Sequence, residues 1–312
     1  MTLTSMPLDS WTLTTSDRLT INEHNNRVSN TTTAFEARTQ DSLTAPLRFI
    51  IPQAEKPFFR SAAITGGTEE FFFETEERVV PIANLRAVAD RMTLDKEGFD
   101  LLTEPSTVVD FHDDAEVEGR YFDEIRNLLA RQLGAEEVII FDATRRSDAQ
   151  RGAANRDGSR KPASLIHVDY TATSGPGRLA GLIGEERLAS LLKAGKRIVQ
   201  VNVWRSIAGV VQRSPLALAD ASSIAAHDLY ATEQIFPDRV GEIYHLSHNP
   251  TQRWYYAPAM TQDEVLLIKG WDSARDRARF TPHTAFELPD AAPNAPARES
   301  LEVRTYAIVP NA

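Results

Sequence analysis

Apolar positions in this chain follow two different periods, and the change between them marks the main structural boundary. From Glu118 to Leu133, Tyr121, Phe122, Ile125, Leu128, Leu129 and Leu133 recur every three or four residues, and Gly134 follows as a C-cap, so the spacing predicts a helix. The same period predicts helices over Ile82–Met92 and Glu185–Ala194. Elsewhere the pattern is short β-type runs between Pro, Gly and Asp turns. Before the long helix these are Leu47–Ile51 and Glu70–Pro81, the latter carrying the aromatic run Phe71, Phe72 and Phe73, and after it comes Val138–Phe141. A polar stretch, 145–161, separates these from Leu165–Tyr170, Ile198–Ile207, Leu216–Ala219, Ile243–Leu246, Trp254–Ala257, Val265–Lys269, Arg279–Phe286 and Glu299–Val309. Pro289–Pro296 reads as a loop between the last two strands.

Many short strands without alternating β-α units predict a mainly β protein with flanking helices and a sandwich or jelly-roll core. One domain is expected over residues 1–312: an irregular arm rich in Thr, Ser and Asn over 1–44, a mixed helix and strand part over 45–160, and a jelly-roll core with the chemistry over 161–312.

Composition narrows the class. With 42% hydrophobic and 25% charged residues the chain is an ordinary globular protein. Its formal charge of −10 comes without basic clusters long enough to engage nucleic acid or an anionic membrane, so neither is an expected partner. No apolar run has the length of a membrane span and no basic-then-apolar leader opens the chain, which makes the cytoplasm the expected compartment. Cysteine is absent, so disulfides, thiolate metal sites and cysteine nucleophiles are excluded, and any metal falls to His and carboxylate ligands.

The informative segment is Leu165-Ile166-His167-Val168-Asp169-Tyr170. Side chains alternate across a strand, so His167 and Asp169 share a face. With a third ligand from a distant strand they make a two-His, one-carboxylate facial triad, and His283 in Thr281–Phe286 is the candidate. Such a triad leaves open positions for a bidentate co-substrate and dioxygen on iron(II), although the same ligands could hold zinc with a water. His245 and His248 precede the turn Asn249-Pro250 and are read as structural or rim residues, next in line should His283 fail.

Two further strand faces carry polar groups. In the last strand Arg298, Ser300, Glu302 and Arg304 share one face, and an Arg with a Ser can grip a carboxylate by a charge-assisted fork and a hydroxyl. In Ile198–Ile207, Gln200, Asn202 and Trp204 share a face while Arg205 lies with the valines, so Asn202 and Trp204 are the cavity candidates and Arg205 is a buried structural ion or a substrate contact.

In order along the chain, Phe141-Asp142-Ala143-Thr144-Arg145-Arg146, His167-Val168-Asp169-Tyr170-Thr171, Asn202-Val203-Trp204-Arg205, Pro215–Asp220, Asp263–Lys269 and Arg298–Arg304 resemble the CmcJ/AsaB-like hydroxylase–desaturase family, over roughly residues 105–309. The resemblance implies a double-stranded β-helix core and iron(II) on His167, Asp169 and His283, with 2-oxoglutarate and dioxygen as co-substrates. It implies hydroxylation or desaturation of a small molecule of secondary metabolism. Arg298 with Ser300 is the expected anchor of 2-oxoglutarate, and the long loop before it leaves Arg304 as second candidate. Tyr170, Asn202, Trp204 and Arg205 are the candidate substrate contacts. Two other readings stand beside this one: an iron oxidase of the isopenicillin N synthase type that needs no 2-oxoglutarate, and a jelly-roll ligand-binding protein without catalysis.

Overall fold

The computed structural model describes residues 41–65 and 69–310, so most of the expected N-terminal arm lies outside the described residues. Two sheets dominate. One has ten strands in the order Ser42–Ile50, Thr75–Asn84, Trp254–Tyr256, Leu216–Ala219, His283–Ala285, His167–Val168, Val240–Leu246, Leu229–Ile235, Phe58–Arg60 and Glu70–Phe71. The other has five, in the order Phe99–Thr103, Glu264–Asp272, Arg197–Ser206, Glu299–Val309 and Glu137–Ser147. The expected jelly-roll core is therefore present.

Each face of the five-stranded sheet has a distinct occupant, and strict alternation decides which. Val199, Val201 and Val203 join Leu301, Val303, Val265 and Leu267 against the helix Phe122–Leu133, whose Ile125, Leu128 and Leu129 are buried beneath it. Gly134, at φ 65°, closes that helix in the left-handed conformation glycine tolerates best. Truncating one of the buried leucines should cost roughly 2–5 kcal/mol, because the gap left would close only in part. On the opposite face Trp204, Leu266, Ile268 and Phe99 meet Leu216, Leu218 and Ala285 of the large sheet. That space between the sheets narrows into the cavity described below.

The helix expected over Ile82–Met92 does not form. Ile82 and Ala83 continue the strand Thr75–Asn84, paired with Leu43 and Ser42. The Asn84 side chain then accepts from Arg86 N–H and turns the chain into two 3-10 turns, Leu85–Ala87 and Ala89–Arg91. Pairing with two neighbouring strands outweighed a helical spacing of apolar residues. The strands expected over Leu165–Tyr170 and Arg279–Phe286 shrink to His167–Val168 and His283–Ala285. The β run at Val138–Phe141 extends instead to Ser147, and a helix not foreseen, Ser174–Ile183, precedes the foreseen one at Glu185–Lys193. No helix among the described residues is long and apolar enough to cross a membrane.

Candidate metal and co-substrate site

His167 and His283 come from adjacent antiparallel strands and stand directly opposite each other in the ladder. Their ring centroids are 4.5 Å apart. Each ring is oriented by its own backbone: His167 Nδ1 donates to the Leu165 carbonyl at 2.9 Å and His283 Nδ1 to the Thr281 carbonyl at 3.0 Å. A protonated Nδ1 leaves Nε2 with its lone pair, the form a metal requires. Burial, and then the neighbouring His283, lower the His167 pKa to about 4, which keeps the ring neutral at physiological pH.

Asp169 lies one residue past the short strand, with Oδ2 3.9 Å from His283 Nε2. Burial would push its carboxyl up, but Arg304, the two imidazoles and Asn202 more than offset this and hold it below the usual carboxylate range. Asn202 Nδ2 donates to Asp169 Oδ2 at 2.6 Å, and Gln200 Nε2 donates to Asn202 Oδ1 at 2.7 Å. Arg304 Nη2 reaches Asp169 Oδ1 at 3.4 Å. Gln200, Asn202 and Trp204 thus share the inner face that alternation predicts, and Asn202 is committed to orienting Asp169.

Among the described residues no three His, Asp or Glu side chains stand close enough together, as they are placed, to hold a metal ion. Two donors on one ion, at bonds of roughly 2.0–2.2 Å, stand about 3 Å apart, so a 3.9 Å spacing is somewhat wide and would contract on an ion. The donor chemistry fits: two imidazoles with Nδ1 occupied, and an ionised carboxylate held by a guanidinium and an amide. Two imidazoles and one carboxylate suit iron(II) and leave positions free for other ligands.

The cavity beside this cluster is lined by His167, His283, Trp204, Arg146, Arg298, Glu302 and Arg304, with Leu216, Ala163, Thr284 and Ala285. Arg298 is 3% exposed and lies 5.4 Å from the Trp204 ring. Its Nη1 donates to the Ser214 carbonyl at 3.1 Å and its Nη2 to Ser300 Oγ at 3.0 Å, while Nε is buried without a hydrogen-bond partner. Burial, followed by repulsion from Arg146, lowers its pKa to about 10, so it stays charged. Arg304 is instead saturated, with Asp142 and Glu302 each at 2.6 Å.

Not every candidate residue is brought here. Arg205 lies on the far face, donating to Tyr121 Oη at 3.0 Å, to the Glu104 carbonyl at 2.6 Å and to the Gln262 carbonyl, and is a structural ion there. Tyr170 packs beside Phe141 and Tyr306, with ring centroids 6.5 and 6.3 Å away, and is not among the lining residues. His245 is buried with Nδ1 2.9 Å from Thr232 Oγ1, and His248 packs edge-on against Phe49, so neither joins the cluster. Alternation places Glu302 on the face of Ser300 and Arg298, whereas the facing of Arg146 depends on a strand pairing that sequence does not state.

Comparison with known proteins bears on the family and the fold. Residues 47–308 match the family model described as an oxidoreductase/YMDC permease-like domain. The chain is 32% identical over 263 residues to the hydroxylase/desaturase efuI of Hormonema carpetanum, covering 77% of this chain and 86% of that protein. It is 29% identical to the Fe(II)/2-oxoglutarate-dependent dioxygenase nvfI of Aspergillus novofumigatus over 267 residues, 82% of this chain and 93% of that one. A solved structure of the iron and alpha-ketoglutarate-dependent endoperoxidase NvfI superposes with a TM-score of 0.77 at 27% identity, covering 88% of this chain and 100% of that chain. The chain belongs to the hydroxylase/desaturase family of non-haem iron(II)/2-oxoglutarate-dependent oxygenases.

Proposed function

We propose that His167, Asp169 and His283 hold the iron, that Arg298 with Ser300 receives the distal carboxylate of 2-oxoglutarate, and that the enzyme hydroxylates or desaturates a small organic metabolite. The observation that carries this reading is the juxtaposition, lining one cavity, of two imidazoles with Nδ1 occupied and a buried guanidinium with no carboxylate partner among the described residues, with the oriented Asp169 carboxylate 3.9 Å from one of the imidazoles.

Iron bound there supplies dioxygen activation, with 2-oxoglutarate providing two electrons and leaving as succinate and carbon dioxide. The chain's own residues do the positioning. Arg304 and Asn202 fix the Asp169 carboxylate, each through one of its oxygens. Arg298 supplies a planar fork and Ser300 a hydroxyl, which together suit a carboxylate better than an ammonium would. Trp204 forms a wall that belongs both to the cavity and to the apolar cluster between the sheets, and so keeps water from one side. Arg304, whose charge is already neutralised by three carboxylates, serves Asp169 and not the co-substrate.

The test is iron content and succinate formation after anaerobic reconstitution. His167→Ala, Asp169→Ala and His283→Ala should each lose iron binding or turnover while near-native circular dichroism persists. Full activity in His283→Ala would overturn the triad. Product formation without stoichiometric succinate would point to an oxidase that draws its electrons from the substrate.

A further inference from the structure

Three arginines line the cavity, and they differ in what answers their charge. Arg304 is bound by Asp142, Glu302 and Asp169. Arg298 and Arg146 have no carboxylate within ion-pair distance among the described residues. Arg298 is held by the Ser214 carbonyl and the Ser300 hydroxyl, and Arg146 by one bond from Nη1 to the Lys161 carbonyl at 2.8 Å. The acids that act on Arg146, chiefly Glu302, do so only at longer range.

Register explains why these two come together. Ser300 is the cross-strand partner of Arg146, and its hydroxyl is also the acceptor for Arg298. Two guanidiniums therefore line the same cavity on either side of one serine position, and neither meets a carboxylate among the described residues. Like charges at such a place repel, and burial magnifies the repulsion, so the arrangement calls for a shared anion. Arg145, the adjacent residue, faces the other way, where its Nε donates to the Phe111 carbonyl at 2.7 Å and Asp114 answers its charge at 2.6 Å, although its Nη2 is buried without a partner. The contrast between neighbours on one strand is what alternation produces, and it singles out Arg146.

We infer that Arg146 is the second cation of the distal-carboxylate site, so that 2-oxoglutarate is gripped by Arg146 and Arg298 together and a monocarboxylic 2-oxo acid is not. This rests on the reading that Arg298 receives that carboxylate. A carboxylate has two oxygens and room for four donors, enough for both guanidiniums and the serine hydroxyl.

Anaerobic calorimetric titration of the Fe(II)-loaded protein with 2-oxoglutarate and with 2-oxobutanoate, which lacks the distal carboxylate, tests it. Arg146→Gln should weaken 2-oxoglutarate by roughly 10- to 100-fold. The same variant should leave 2-oxobutanoate within about threefold of wild type. Arg146→Lys should recover part of the loss, which also guards against a folding defect. The double variant Arg146→Gln/Arg298→Gln should lose less than the product of the two single losses, as partners on one ligand do. An Arg146→Gln protein that binds 2-oxoglutarate within about threefold of wild type overturns the inference, as does an equal loss for both acids. If Arg298→Gln is silent as well, the placement of the carboxylate at Arg298 fails with it; if only Arg146→Gln is silent, that placement stands and this inference alone falls.

Discussion

The strands Arg197–Ser206 and Glu264–Asp272 pass through two charged regions that are built on opposite terms. At one end Lys269 and Asp272 are wholly buried, 2.8 Å apart. Arg197 binds Asp272 at 2.6 Å, Lys269 reaches Asp95 at 3.2 Å, and both Arg197 and Arg277 pair with Asp95. There every charge finds its counter-ion within the chain. Beside Trp204 and Ser206 of the same sheet, Arg146 and Arg298 find none among the described residues. Internal saturation makes a region structural, while charges left open in a closed space make one that binds.

The largest effect should come from opening the saturated region. Asp272→Ala leaves Lys269 buried without its nearest carboxylate and should lower the unfolding free energy by roughly 3–5 kcal/mol, read by urea denaturation. Affinity for iron and 2-oxoglutarate in the folded protein should be unchanged. Arg304→Met comes next, because it strips the cation from Asp142, Glu302 and Asp169 at once. Iron affinity should fall by roughly 10- to 100-fold through the loosened Asp169, measured by anaerobic metal titration. An Arg304→Met protein with normal iron affinity but lost 2-oxoglutarate binding would make Arg304 the anchor and erase the distinction drawn between the three arginines.

Gly270→Ala should act more gently on the same chain of bonds. A β-carbon there would stand 2.0 Å from Gln200 Oε1, and Gln200 is held in place by its bond to Asn202. Displacing it should cost roughly 1–3 kcal/mol of stability and weaken iron binding through Asn202, whereas an Asn202 that merely fills space would pass on no such effect.

The smallest effect is a pH dependence confined to the saturated region. Burial raises the Asp95 carboxyl, but Arg197 and Lys269 outweigh it and hold the group below its ordinary 3.8 in the fold. A depressed carboxyl pKa contributes stability that is present above the unfolded value and lost as pH falls through the folded one. The urea midpoint should therefore drop on going below pH 4, and Asp95→Asn should flatten that acid limb.

Some of this was legible in sequence because it follows from alternation along single strands. His167 with Asp169, Gln200 with Asn202 and Trp204, and Arg298 with Ser300, Glu302 and Arg304 needed only the two-residue period. The placement of Arg205 with the valines, where it binds backbone carbonyls, came the same way. What escaped was non-local. That Asp142 would neutralise Arg304 depends on the pairing of Glu137–Ser147 with Glu299–Val309, and so does the approach of Arg146 to Ser300. Ile82–Met92 misled because its apolar residues fit a helical period, while the partners that hold Ile82 in a strand, Leu43 and Trp254, lie far away in the chain.

Thermal melting of the metal-loaded protein with and without 2-oxoglutarate, on wild type, Asp272→Ala and Arg298→Met side by side, tests the central contrast most directly. A ligand that binds only the folded state raises its melting temperature by an amount that grows with the logarithm of its affinity. The account predicts that Asp272→Ala melts well below wild type yet gains the same increment from 2-oxoglutarate, and that Arg298→Met melts close to wild type and gains almost none. An Arg298→Met protein that keeps the full increment, or one destabilised as severely as Asp272→Ala, would contradict it.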